Sequence, residues 1–149
     1  MSEISEKLRA QLIRDEGRKP YAYPDSLGYL TIGVGHLIDE KKGGRLPDSI
    51  IDALLEYDIR EATGLLFQYQ PWTAQLDPVR QAVLINMVFN MGQEPFDHDG
   101  FKDWPNFLAQ VQRGDYEQAA TNMLSTPWAQ QVGMRAQRLA AQMRTGVWQ

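Results

Sequence analysis

The sequence runs to 149 residues and 17.0 kDa, 43% apolar and 23% charged, the make-up of an ordinary globular domain with room for one core and little else. It has no cysteine, which excludes structural disulfides and cysteine-based zinc sites. Fifteen Lys+Arg against 19 Asp+Glu leave a net charge of -4, which argues against a nucleic-acid binder, a class that needs a dominant basic face. No apolar run approaches the roughly 20 residues of a membrane span, and Met1 to Glu6 lacks the basic-then-apolar pattern of an export signal. The expectation is a protein made in the cytoplasm and left there.

Ile4, Leu8 and Leu12 recur at i, i+4 and i+8 and predict an amphipathic helix over 3–16, with Gly17 just past its end. Over 21–38, short runs rich in Tyr, Thr, Ile and Val are broken by Pro24, Gly28, Gly33 and Gly35, which predicts a small antiparallel sheet with tight turns. Lys41 to Gly44 reads as a loop. Asp48 or Ser49 caps a long helix reaching about Tyr69, striped by Ile51, Leu54, Leu55, Ala62, Leu65 and Leu66. Asp77-Pro78 starts the next helix and Gly92 stops it, and its residues are apolar on nearly every side, so it is expected to be central and buried. Further helices are expected at about 105–112, 115–124 and 133–143, interrupted by Gly114, Pro127 and Gly133. From Ala120 onward there are three arginines (Arg135, Arg138, Arg144) and no carboxylate side chain, a local cationic patch. The fold class is α+β, mainly α, a single domain over 1–149 with a small antiparallel sheet lobe and a larger helical lobe.

Two carboxyls stand in contrasting places. Glu16 lies four residues beyond Leu12, on the apolar face and at the C-terminal end of the first helix, where partial burial and the helix dipole both disfavour its charged form. Asp25 lies in the turn sequence Tyr23-Pro24-Asp25-Ser26-Leu27-Gly28, where an aspartate is normally solvated and ionised. A carboxyl pair whose environments push their pKa values apart divides into acid and base, and glycosidic bond cleavage is the known use of such a pair.

Glu16, eight residues, Asp25, five residues, Thr31 is a sharper signal, and it comes with Asp15-Glu16-Gly17 and Thr31-Ile32-Gly33-Val34-Gly35-His36. Further on stand Asn86-Met87-Val88-Phe89-Asn90-Met91-Gly92, Arg135-Ala136-Gln137-Arg138 and Arg144-Thr145-Gly146-Val147-Trp148. In this order and over nearly the whole chain, these blocks resemble the phage-type, T4-like lysozymes, the muramidases that serve phages as endolysins. The resemblance implies a two-lobed lysozyme-like fold with a cleft between its lobes. It also implies hydrolysis of the β-1,4 bond between N-acetylmuramic acid and N-acetylglucosamine in peptidoglycan, without cofactor or metal. Position by position, it gives Glu16 the part of general acid, Asp25 that of the carboxylate that activates water or stabilises the positive sugar, and Thr31 that of the hydroxyl that orients the water. Leu37, Phe89 and Asn122 match positions lining the saccharide cleft, and Arg135 matches an arginine that pairs with the acid. Phe107 departs from the type member, which has a serine in the cleft near there.

The other candidates have plainer readings. His36 is expected to pair with Asp58 as a structural ion pair, since no serine or cysteine nucleophile accompanies it. Asp97-His98-Asp99-Gly100, with Glu94 and Asp103, is an incomplete calcium loop and reads as solvated acidic surface. The helix over 133–143 is expected to pack its apolar face on the helical lobe rather than insert into membranes. Two other functions stay in view: a lytic transglycosylase, which needs no water-activating carboxylate, and a wall-binding or virion structural protein of lysozyme fold. The expected partners are peptidoglycan strands and, for access from the cytoplasm, a holin or other membrane permeabiliser. The protein itself is expected to be a monomer.

Overall fold

A computed structural model describes residues 3–92 and 104–149. In chain order it has α1 (Glu3–Glu16), β1 (Lys19–Pro24), β2 (Leu30–Gly33), β3 (His36–Leu37), α2 (Asp48–Tyr69), α3 (Pro78–Met91), α4 (Pro105–Arg113), α5 (Tyr116–Leu124), α6 (Pro127–Val132) and α7 (Met134–Thr145). The chain divides into two compact units, Met1–Ala53 and Leu54–Gln149, the boundary falling inside α2. Helices dominate and the strands form one small antiparallel sheet, so the α+β class read from the sequence holds.

In the first unit the sheet order is β1-β2-β3. Tyr23 pairs with Thr31 and Thr31 with Leu37, while Pro24 pairs with Leu30 and Ile32 with His36. Pro20 and Pro24 fit in β1 because it is an edge strand, where a missing N–H removes no ladder bond. The strand therefore starts at Lys19, ahead of the expected boundary. The predicted loop at 41–44 overlaps a turn of 3-10 helix over Glu40–Lys42, capped by the Asp39 carboxylate on Lys41 N–H at 2.8 Å.

α2 begins at Asp48, but neither Asp48 nor Ser49 is its cap. The Pro47 carbonyl accepts from Ile50 and Ile51 N–H, so Asp48 is the first helical residue. Asp77 does cap α3, its side chain accepting from Val79 and Arg80 N–H, and Gly92 ends the helix. Pro127, read as an interruption, instead opens α6. Thr126 accepts from Ala129 N–H at 3.2 Å, and proline suits the first helical position because its missing N–H has no partner there anyway.

The core of the second unit is built from Leu66 of α2, Val83, Leu84 and Met87 of α3, Phe107 and Val111 of α4, Met123 of α5 and Met143 of α7. Trp104 stands edge-on to Phe107 and to Trp128 with ring centroids 5.3 and 5.8 Å apart, and Trp128 Nε1 donates to Asn90 Oδ1 at 2.8 Å. Phe107 is fully buried, so its departure from the family pattern serves the core. α7 packs on α5, α3 and α6, as expected of the C-terminal helix.

Candidate active site

Asp25 closes the turn between β1 and β2 with its own side chain. Its N–H donates to Tyr29 O at 2.8 Å, and its Oδ1 accepts from Leu27 N–H and Tyr29 N–H, each at 2.8 Å. This is what an aspartate does in a tight turn. It leaves the two carboxylate oxygens unequal, since both amides go to Oδ1 and neither to Oδ2. The turn is flanked by cations over aromatic faces, Lys19 Nζ 3.9 Å from the Tyr23 ring centroid and Lys42 Nζ 4.0 Å from that of Tyr29.

Thr31 is buried at the middle of β2, and its Oγ1 donates to Tyr23 O at 3.1 Å and Tyr29 O at 3.2 Å. A hydroxyl has one hydrogen and two lone pairs. With its one hydrogen committed to these carbonyls, Thr31 has only lone pairs left to offer a further partner. Tyr29 ties the two residues together: its N–H holds Asp25 and its carbonyl holds Thr31. Leu37 is the cross-strand neighbour of Thr31, and residues directly opposite in an antiparallel pair share a face, so Tyr23, Thr31 and Leu37 line one side of the sheet.

Glu16 ends α1, as expected, but the burial expected there is not found. Its side chain is exposed, as are Leu8 and Leu12 on the same stripe. What stands against it is Gly35 in the turn between β2 and β3, which has no side chain to cover the carboxylate. Gly35 was read from the sequence as part of a tight turn and of the Thr31 to His36 block, not as a neighbour of Glu16; the contact is between residues far apart in the chain and has no local signal.

Phe89 and Asn122 belong to the second unit. Phe89 is half-exposed on α3 and borders a cavity of about 330 Å³ shared with Leu55, Ile59, Ile85, Asn86 and Arg135. Asn122 on α5 donates through Nδ2 to Gln110 Oε1 at 3.1 Å, which keeps its Oδ1 as an acceptor. Arg135 is held by Asn86, with Nε and Nη2 donating to Oδ1 at 2.9 and 2.7 Å and Nη2 to the Asn86 carbonyl at 3.3 Å. Asn86 was visible only as part of the α3 block, not as the residue that aims Arg135. Within its own unit His36 Nε2 lies 3.1 Å from the Arg45 carbonyl; its pairing with Asp58 stays an expectation. The acidic loop Asp97-His98-Asp99-Gly100 lies outside the described residues. Among the described residues no group of three His, Asp or Glu is placed to hold a metal ion.

The phage lysozyme family matches residues 14–144, a span that contains Glu16, Asp25 and Thr31. The chain belongs to the phage lysozyme family. Members similar to it include the probable T4-type lysozymes 1 and 2 of Dictyostelium discoideum, 28% and 26% identical over 93% of this chain and 94% of each relative. It is also 33% identical, over 91% of its length, to the pre-baseplate central spike protein Gp5 of Enterobacteria phage T4, covering 27% of that protein. As a phage lysozyme the chain is a glycoside hydrolase that acts on peptidoglycan.

Proposed function

We propose that this lysozyme hydrolyses the β-1,4 bond between N-acetylmuramic acid and N-acetylglucosamine, with Glu16 as general acid, Asp25 as general base and Thr31 as the water-orienting hydroxyl. The reading rests on how hydrogen bonds are shared at Asp25 and Thr31. One carboxylate oxygen and one hydroxyl are already satisfied by the main chain, and what is left over is a pair of acceptors, Asp25 Oδ2 and Thr31 Oγ1. A water that gives one hydrogen to each keeps its lone pairs free for attack on a sugar carbon, as general base catalysis needs.

In the proposed step Glu16 gives its proton to the glycosidic oxygen as the bond from the anomeric carbon breaks, and that oxygen keeps the bonding pair. The water oxygen attacks the opposite face of the anomeric carbon and passes its proton to Asp25. Atoms and charge balance with water alone, and the configuration inverts. In the first unit Leu37 supplies apolar surface beside Thr31; in the second, Phe89 supplies apolar surface and Asn122 Oδ1 an acceptor for acetamido N–H groups. In this reading the protein is an endolysin, a monomer made in the host cytoplasm and admitted to the wall by a separate permeabiliser such as a holin. No described helix is long and apolar enough to cross a membrane.

Glu16→Gln keeps the side chain's shape but carries no transferable proton, and general acid catalysis is worth about 10² to 10⁴ in rate. Turbidity loss of outer-membrane-stripped cells should fall by at least that lower figure while the unfolding temperature stays put. The wild-type product should carry a reducing sugar, first released as the α anomer. A Glu16→Gln protein lysing at more than a tenth of the wild-type rate overturns the assignment, a first-formed β anomer overturns the inversion, and an anhydro end makes the chain a lytic transglycosylase. The similarity to a spike protein favours one second reading, a wall-binding virion component. That reading predicts binding to purified sacculi with no release of reducing sugar.

A further inference from the structure

We propose that Gly35 is a positioning residue for Glu16: the missing side chain at 35 is the seat on which the acid's carboxylate rests. The inference builds on the role proposed for Glu16. Two glycines frame the turn between β2 and β3, Gly33 at φ +70° and Gly35 at φ +65°, so backbone conformation alone favours glycine at both. Their surroundings separate them. A Cβ placed on Gly33 meets nothing within 4 Å, whereas a Cβ on Gly35 would stand 2.9 Å from Glu16 Oε2, 3.1 Å from its Cδ and 3.2 Å from its Cγ.

Three consecutive atoms of the glutamate border the space that a side chain at 35 would fill, so the carboxylate end runs along the turn rather than meeting it at one tip. Among the described residues of its own unit no hydrogen bond or ion pair holds this carboxylate, and its residue is exposed. Contact with Gly35 is thus the restraint its own unit provides. An exposed glutamate side chain yields easily when a methyl group is put in its way. The effect of adding one falls on where the proton is delivered rather than on whether the protein folds. Displacing a catalytic group by about 1 Å costs on the order of 10²-fold in rate.

The experiment compares Gly35→Ala with Gly33→Ala, which carries the same left-handed backbone strain without the contact. On a soluble chromogenic or oligosaccharide substrate, kcat of Gly35→Ala should fall about 10- to 100-fold below that of Gly33→Ala, with KM within about two-fold of wild type. Because Glu16→Asp withdraws the carboxylate by one methylene, the added effect of Gly35→Ala should shrink in that background, a coupling that independent sites do not show. Equal kcat in the two alanine variants, or additive losses in the Glu16→Asp background, overturns the inference. Should Gly35→Ala not fold, the wild-type protein decides: a proton Overhauser contact between Gly35 Hα and Glu16 Hγ is expected, and its absence overturns the inference. If Glu16→Gln stays active, the acid assignment itself fails. If Glu16→Gln is dead while the two alanine variants match, only the role of Gly35 fails.

Discussion

Arg80 fastens the start of α3 to the end of α7, and Asp77 is the residue through which that tie can be weighed. The Asp77 carboxylate accepts Val79 and Arg80 N–H on Oδ1 at 3.1 and 3.0 Å, and Arg80 Nη1 on Oδ2 at 2.9 Å. Arg80 also donates from Nε to the Met143 carbonyl at 2.8 Å and from Nη2 to that of Arg144 at 3.2 Å, and its guanidinium lies 3.7 Å over the Tyr116 ring. Asp77→Ala removes the cap, about 1 kcal/mol, and deprives a mostly buried guanidinium of its anion. Asp77 is itself 37% exposed, so solvent screening holds that second contribution to about 1 kcal/mol. The sum, about 2 kcal/mol, lowers Tm by roughly 4–8 °C for a chain of this size. Asp77→Asn keeps the cap and loses only the charge, so its Tm should fall by about half as much.

The pH dependence has a definite sign. Burial raises the Asp77 carboxyl's pKa, but the Arg80 side-chain bond, the Arg80 N–H, the guanidinium charge and the Val79 N–H together outweigh it and hold the group below the ordinary 3.8. The unfolded chain thus binds this proton first as pH falls. The contribution is complete above the ordinary value and is lost as pH drops below it through the folded one. Thermal unfolding followed by circular dichroism should show a wild-type to Asp77→Ala gap that is flat from pH 7 to about 5 and narrows below about 4. A gap that widens toward acid, or an Asp77→Asn protein as unstable as Asp77→Ala, refutes the reasoning.

Phe107 is fully buried and edge-on to Trp104, so Phe107→Ala should cost about 3–5 kcal/mol and roughly 10 °C in Tm, and a shift under 2 °C would return Phe107 to the cleft. Thr31→Ser preserves the hydroxyl and should keep most of the lytic rate, whereas Thr31→Val, of nearly the same volume, should lose about 10²-fold while unfolding costs about 1 kcal/mol less. A valine variant above a tenth of wild-type activity would remove Thr31 from the water site.

Helix ends were readable where the signal is local: Gly17 after α1, Asp77-Pro78 before α3 and Gly92 after it act through atoms within four residues. Pro127 misled because a proline that breaks one helix and a proline that opens the next look alike until the Thr126 cap is seen. The stripe of Leu8 and Leu12 fixed which face Glu16 shares, but periodicity says nothing about what covers a face, and here it is exposed. Glu16, Asp25 and Thr31 stood out because their spacing, short enough to be read along the chain, resembles the phage lysozyme pattern. Asn86 under Arg135, 49 positions away, and Gly35 under Glu16 came from contacts between distant segments, which a single sequence does not report.

The hydrogen-bond partners that shape Asp25 and Thr31 are main-chain atoms: two amides of Leu27 and Tyr29, and two carbonyls of Tyr23 and Tyr29. Every residue carries an amide and a carbonyl, proline's missing N–H aside. The side chains at 23, 27 and 29 are therefore free to drift so long as the hairpin keeps its register. A one-residue insertion between Asp25 and Thr31 shifts that register and so does more harm than several substitutions there.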